Sequence, residues 1–155
     1  LAAHCDVFYI GGTKVGAMMG EAVVFTNRKA PKYFFTTVKR HGALLAKGRM
    51  LGLQFDTLFT DNLYLRVGHH AISMAERLKE IFIAHHIPFA VASPTNQQFV
   101  VLSQKQFDHL SCHLAFGIWE RRNADEIVCR FVTSWATTDE DLEVLEKACG
   151  EMEGN

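Results

Sequence analysis

Asp6-Val7-Phe8-Tyr9-Ile10-Gly11-Gly12-Thr13-Lys14-Val15-Gly16 decides how the rest of the chain is read. An apolar, β-branched and aromatic run ends in two glycines, a hydroxyl residue and a lysine. Val7 to Ile10 has the composition of a buried strand bounded by turn residues. Gly11 and Gly12 let the backbone turn sharply or approach a ligand closely. Lys14 then stands in a loop at a strand end, where a rigid sheet often presents reactive groups. Such a lysine has two readings. It is a solvated loop residue, or it is an amine nucleophile that forms a Schiff base with a carbonyl. A phosphate loop is excluded, because that motif needs Gly, four residues, then Gly-Lys-Ser/Thr. Here Thr13 precedes Lys14 and Val15 follows it.

The stretch Cys5 to Ala17, with Glu21-Ala22-Val23-Val24-Phe25 as the next strand, resembles the lysine segment of the threonine aldolase and β-eliminating lyase family. These are fold type I enzymes dependent on pyridoxal phosphate. A second match follows in the right order: Cys129-Arg130-Phe131-Val132-Thr133-Ser134-Trp135. The resemblance implies a fold class: α/β, the end of a fold type I large domain followed by a small α+β C-terminal domain. It implies that Lys14 is the Schiff-base lysine, with Gly12 and Thr13 beside the cofactor. It implies that Arg130 holds the substrate's α-carboxylate. A basic residue in a later loop reaches the cofactor phosphate in the family; Lys47 is the best match and Arg49 the second. The implied cofactor is pyridoxal 5'-phosphate. The implied reaction is cleavage of a β-hydroxy amino acid such as threonine to glycine and an aldehyde. A β-eliminating lyase or a racemase on the same scaffold is the alternative within enzymes. A non-catalytic C-terminal fragment serving as an oligomerisation module is the alternative outside them.

The chain has 155 residues, 48% of them hydrophobic and 21% charged, a globular composition. The net charge of -1 supplies no field that favours nucleic acid or an acidic membrane. No apolar run reaches the roughly 18 residues of a membrane span. Cys5, Cys112, Cys129 and Cys149 form no CxxC, so reduced thiols and a cytoplasmic location are expected. Leu1-Ala2-Ala3-His4 opens almost directly onto the first strand. A complete member of the resembled family is about twice this length or more, as two domains require, with its lysine past the middle. The chain is therefore expected to be the C-terminal portion of a longer enzyme. The aspartate for the pyridine nitrogen, the ring-stacking residue and most phosphate donors are expected in the preceding part. A homodimer or homotetramer acting on a small amino acid is the expected assembly.

The resemblance implies two regions, 1–60 belonging to the large domain and 61–155 holding a linking helix and the small domain. After the first two strands, Asn27-Arg28-Lys29-Ala30-Pro31 reads as a turn and helix start, with a short helix over Lys32 to Arg40 that Gly42 ends. Met50 to Thr60 reads as a helix apolar all round, buried or at a subunit interface. Asp61 or Asn62 caps the next helix, whose apolar face is Ala71, Met74, Ala75, Leu78, Ile81 and Phe82. Strands are predicted over 87–91, 98–102, 114–119 and 126–132, and a helix over 105–112. Thr138 caps a last helix over 139–149, with Asp139, Glu140 and Asp141 at its positive end. A polar tail, Gly150 to Asn155, closes the chain.

An arginine in an apolar strand needs a partner, because an unpaired buried charge is costly. For Arg130 that partner is a carboxylate gripped bidentately or a structural ion pair. The histidines invite a metal reading. His109 and His113 are four apart, and His69-His70 and His85-His86 are adjacent pairs. No carboxylate or cysteine spacing completes a zinc pattern, so no metal is assigned. Cys129, Trp119 and Trp135 read as core residues.

Overall fold

The computed structural model describes residues 1–27 and 29–153, with no side-chain description at 153. Arg28 of the predicted turn and the last two residues of the polar tail lie outside the described residues. The chain divides into two compact units, Leu1–Arg66 and Val67–Asn155.

In the first unit, β1 (Val7–Gly11) pairs antiparallel with β2 (Glu21–Phe25), from Val7↔Phe25 to Gly11↔Glu21. Helices α1 (Phe34–Arg40) and α2 (Arg49–Phe59) follow. Val15, Ala17, Phe55 and Leu58 form the buried centre. The expectation of a buried first strand is corrected in part. Side chains alternate across a strand, and Phe8, Ile10, Ala22 and Val24 on one face are half-buried, as is Phe25 at the end of the other. The other face leaves Val7, Tyr9 and Val23 49%, 69% and 55% exposed.

Pro31 lies in a turn ahead of α1 rather than inside it, its carbonyl accepting from the Phe34 amide at 3.0 Å. Asp61 and Asn62 stand at the predicted boundary but use backbone rather than side chain. Both take positive φ, 50° and 57°, conformations that Asp and Asn tolerate better than most residues. This kink separates α2 from α3 (Leu63–Ala84).

α3 begins in the first unit and runs on into the second. Ala71, Met74, Ala75, Leu78 and Phe82 are buried along it, on the predicted face. His86 ends it in the left-handed region, φ 54°. The Ile87 amide then reaches back to the Phe82 carbonyl at 2.9 Å and the His86 amide to the Ile83 carbonyl at 3.1 Å. This is a Schellman stop built without glycine.

The second unit continues with β3 (Phe89–Val91), β4 (Gln97–Leu102), α4 (Gln104–Ser111), β5 (Gly117–Arg121), β6 (Ile127–Val132) and α5 (Asp139–Glu153). The strands form one antiparallel sheet in the order β3-β4-β6-β5. β5 starts later than the sequence predicts. Leu114 still closes the turn after α4, its amide bonding the Leu110 carbonyl at 2.9 Å, and Leu114 and Phe116 pack against the core instead. Val100, Leu102, Ile127, Cys129 and Phe131 of the sheet meet Leu78 and Phe82 of α3, Leu110 of α4, and Leu142 and Leu145 of α5. Thr138 caps α5 as expected: its Oγ1 accepts from the Asp141 amide at 3.3 Å, and its own amide donates to Asp141 Oδ2 at 2.9 Å. Ser103 and Gln106 form a full capping box on α4.

Candidate functional site

Lys14 sits in a single 3-10 turn, Thr13–Val15, immediately after β1. The turn is closed by the Gly12 carbonyl, which accepts from the Val15 amide at 3.1 Å and the Ala17 amide at 2.9 Å. Gly16 exits the turn at φ 99°, a region that favours glycine. Val15 and Ala17 point into the centre of the unit, while Thr13 and Lys14 are exposed. Packing thus holds the turn by its alternate residues and leaves the amine and the hydroxyl outward.

Gly12 is buried for a steric reason. A Cβ there would lie 2.6 Å from the Ala17 Cβ and 2.9 Å from Phe55 Cζ. Its absence lets the turn press directly on α2. Two further contacts fix the turn, and local sequence gives no sign of either. Gln54 Oε1 accepts from the Met18 amide at 2.6 Å. The Tyr64 hydroxyl donates to the Gly11 carbonyl at 3.0 Å. Strand end, turn and exit are therefore each tied to a helix.

Lys47 is exposed in the turn that opens α2, its carbonyl accepting from the Met50 amide at 3.0 Å. Arg49, the second choice, is the first residue of the helix. Lys47 and Lys14 share the first unit, joined by the helix whose Gln54 and Phe55 brace the lysine turn.

Arg130 belongs to the second unit. It lies on β6 between Phe99 of β4 and Gly117 of β5, directly opposite both. Alternation along β6 turns Ile127, Cys129 and Phe131 into the core and Arg130 to the other face. There its guanidinium stands over the Trp119 ring, 5.7 Å from the centroid. Trp119 in turn meets Phe99 edge-on at 5.1 Å. A Cβ on Gly117 would come within 3.9 Å of Arg130 Nε and Nη2. Among the described residues, no carboxylate pairs with Arg130, so the structural ion pair weighed from the sequence is not seen there. An aromatic-flanked, half-buried guanidinium presents a planar fork suited to a carboxylate.

The residues around Arg130 hold the strand. Phe131 stacks on Phe116 at 4.5 Å and meets Phe82 at 4.9 Å. The Thr133 hydroxyl, fully buried, donates to the Ala71 carbonyl of α3 at 2.7 Å. Asn96 Nδ2 donates to the Thr133 carbonyl at 2.7 Å. Cys129 is a core residue. Burial pushes its thiol up to about 11, with the Arg121 charge acting the other way, which suits packing and not nucleophilic attack.

No protein-family model matches the chain. A low specificity L-threonine aldolase of Pseudomonas aeruginosa is 32% identical over 145 residues, covering 92% of this chain and 41% of that protein. A second, from Pseudomonas sp. strain NCIMB 10558, is 38% identical over 79 residues, 51% of this chain and 23% of the relative. The structure of Leishmania major threonine aldolase superposes with a TM-score of 0.90 and 34% identity, over 97% of this chain and 44% of that one. The chain thus spans less than half the length of each of these proteins. Over nearly its whole length it is similar to threonine aldolases in sequence, and it has the α/β fold of the matching portion.

Proposed function

We propose that the chain is the C-terminal portion of a pyridoxal phosphate-dependent carbon–carbon lyase that cleaves a β-hydroxy amino acid, threonine or a close analogue, to glycine and an aldehyde. The observation that carries this reading is the lysine turn. In a chain that a threonine aldolase matches over 92% of its length, Lys14 stands outward on a turn pinned from three sides. The donors present fit the cofactor. An exposed amine at Lys14 suits its aldehyde, and the Thr13 hydroxyl and Lys47 ammonium suit its phosphate. Bound pyridoxal phosphate would supply the electron sink for breaking the bond between Cα and Cβ. Gly12 serves the site by bringing the turn onto Phe55 and Ala17. Arg130 would grip the substrate's α-carboxylate through its guanidinium fork, fixing which bond at Cα is presented for cleavage.

Exposed apolar residues support an oligomer: Met50, Leu53 and Phe59 of α2 are 63%, 45% and 49% exposed, a surface that a partner subunit would cover. No helix of the described residues is long and apolar enough to cross a membrane. A cytoplasmic location goes with a role in amino-acid metabolism, and cell fractionation tests it.

The test uses the full-length protein. Borohydride reduction followed by peptide mass mapping should place a pyridoxyl group on Lys14. Lys14→Ala should abolish release of aldehyde from threonine. An adduct on another lysine, or turnover that survives the substitution, would overturn the assignment. The same assay read for ammonia and keto acid in place of aldehyde would move the enzyme to β-elimination.

A further inference from the structure

The sequence offers His109 and His113 one helical turn apart but no third ligand near them. The fold supplies one. Glu151, on α5, brings its Oε2 to 3.9 Å from both His109 Nε2 and His113 Nε2. One ligand atom from each of the three residues lies within 4.8 Å of the other two. The imidazole rings stand 5.0 Å apart, centroid to centroid, at 50°. His109 is 28% exposed, His113 40% and Glu151 45%, so the cluster is open to solvent on one side and framed by two helices on the other.

We propose that His109, His113 and Glu151 form a binding site for a divalent transition metal, zinc first, with water as the remaining ligand. Two imidazole nitrogens and one carboxylate oxygen suit zinc and its neighbours in the first transition row. They do not suit magnesium or calcium, which take oxygen ligands. The separations fit. Ligands about 2.0–2.1 Å from a tetrahedral zinc stand about 3.3 Å from one another. Each nitrogen-to-oxygen gap must close by about half an ångström and the nitrogen-to-nitrogen gap, 4.8 Å at most, by up to about 1.5 Å, through χ rotation of side chains this exposed.

The neighbouring contacts say how the site works. His109 Nε2 donates to the Ala148 carbonyl at 3.0 Å, which already anchors the end of α4 to α5. A metal takes Nε2 in place of that proton, which moves to Nδ1 of the same ring, and ties α4 and the turn after it to α5 through three side chains. Binding therefore stabilises the folded second unit. Cys112 is adjacent and exposed, but its Sγ bonds the Asp108 carbonyl at 3.2 Å, and it is not among the ligands. The proposal does not rest on the chemistry of Lys14.

Zinc chloride titrated into the full-length protein, followed by calorimetry and by thermal unfolding, tests it. One site per chain is expected, with a higher unfolding temperature in zinc. His113→Ala and Glu151→Gln should each weaken binding about tenfold or more and remove the thermal shift, with circular dichroism confirming that both variants fold. Cys112→Ser should leave binding unchanged. Failure of the wild-type protein to bind zinc at submillimolar concentration would overturn the proposal. So would wild-type affinity in both ligand variants, or loss of binding in Cys112→Ser.

Discussion

Gly12→Ala is the sharpest test of how the lysine turn is held. The backbone at Gly12 is φ −114°, ψ −25°, which alanine adopts freely, so any cost is steric. The new methyl would sit 2.6 Å from the Ala17 Cβ and 2.9 Å from Phe55 Cζ. Carbon atoms rest about 3.5–4.0 Å apart, so the segment must open by about 1 Å on the Ala17 side. Ala17 has no rotamer to yield, and relief there has to come from the backbone that follows Lys14. The Phe55 ring can swing, but it is buried in the centre of the unit. Overpacking of this kind costs about 1–3 kcal/mol. Gly11→Ala is the internal control: nothing lies within 4 Å of its new methyl, and surface changes of that kind stay within about 0.5 kcal/mol. Urea unfolding gives both numbers, and the visible absorbance of bound pyridoxal phosphate gives the effect on the site. Gly12→Ala should unfold earlier and bind the cofactor more weakly, with Lys14 untouched in sequence. Equal unfolding midpoints for the two variants would refute the packing role of Gly12.

Tyr64→Phe removes the bond to the Gly11 carbonyl and should cost about 0.5–1.5 kcal/mol in urea unfolding; no change would mean that the hydroxyl does not anchor the strand end. Cys129 gives a pH signature. Its thiol is held at about 11 against an ordinary 9.0, so the unfolded chain loses that proton first as pH rises. The contribution is intact below pH 9 and is lost between pH 9 and 11, with a slope approaching 1.4 kcal/mol per pH unit. Cys129→Ala should lack that slope, and parallel stability curves for the two proteins would refute it. Thiol labelling at pH 8 of the folded protein should mark exposed Cys112 and spare Cys129, as mass mapping would report.

The secondary elements were mostly legible because they are local. Ala71, Met74, Ala75, Leu78 and Phe82 recur at helical spacing, and all are buried on one face of α3. Thr138 caps α5 with the residue three positions on. The same kind of signal, Ser103 followed by Gln106, marks the start of α4 and is readable by the same rule. The stop of α3 was not legible, since His86 replaces the glycine that a left-handed cap normally shows. The start of β5 is not legible in the sequence, because Leu114 and Phe116 are apolar for the core and not for a strand. The bracing of Lys14 was beyond reach for a different reason: Gln54 and Met18 are 36 residues apart, and Tyr64 and Gly11 are 53 apart. Only the fold brings such pairs together, and the same holds for Glu151 beside His109 and His113.

The Arg130-Phe131-Val132-Thr133 stretch shows why a short motif can be specific. Its residues alternate between two tasks that the two faces of β6 impose. Phe131 fills the core against Phe82 and Phe116, and Thr133 ties the strand to α3 through the Ala71 carbonyl. Arg130 faces the other way and touches Trp119. Substitutions should therefore separate by face. Phe131→Ala should cost about 3–5 kcal/mol of stability, as large-to-small changes in a core do. Arg130→Ala should cost at most about 2 kcal/mol, the worth of a half-buried cation–aromatic contact, yet weaken amino-acid binding severely. Arg130→Lys keeps the charge and loses the planar fork, so it should fold normally and recover only part of the binding. Urea unfolding and a substrate titration on each variant read the two effects separately. An Arg130→Ala protein that binds substrate normally while unfolding early would reverse the assignment and make the arginine a structural residue.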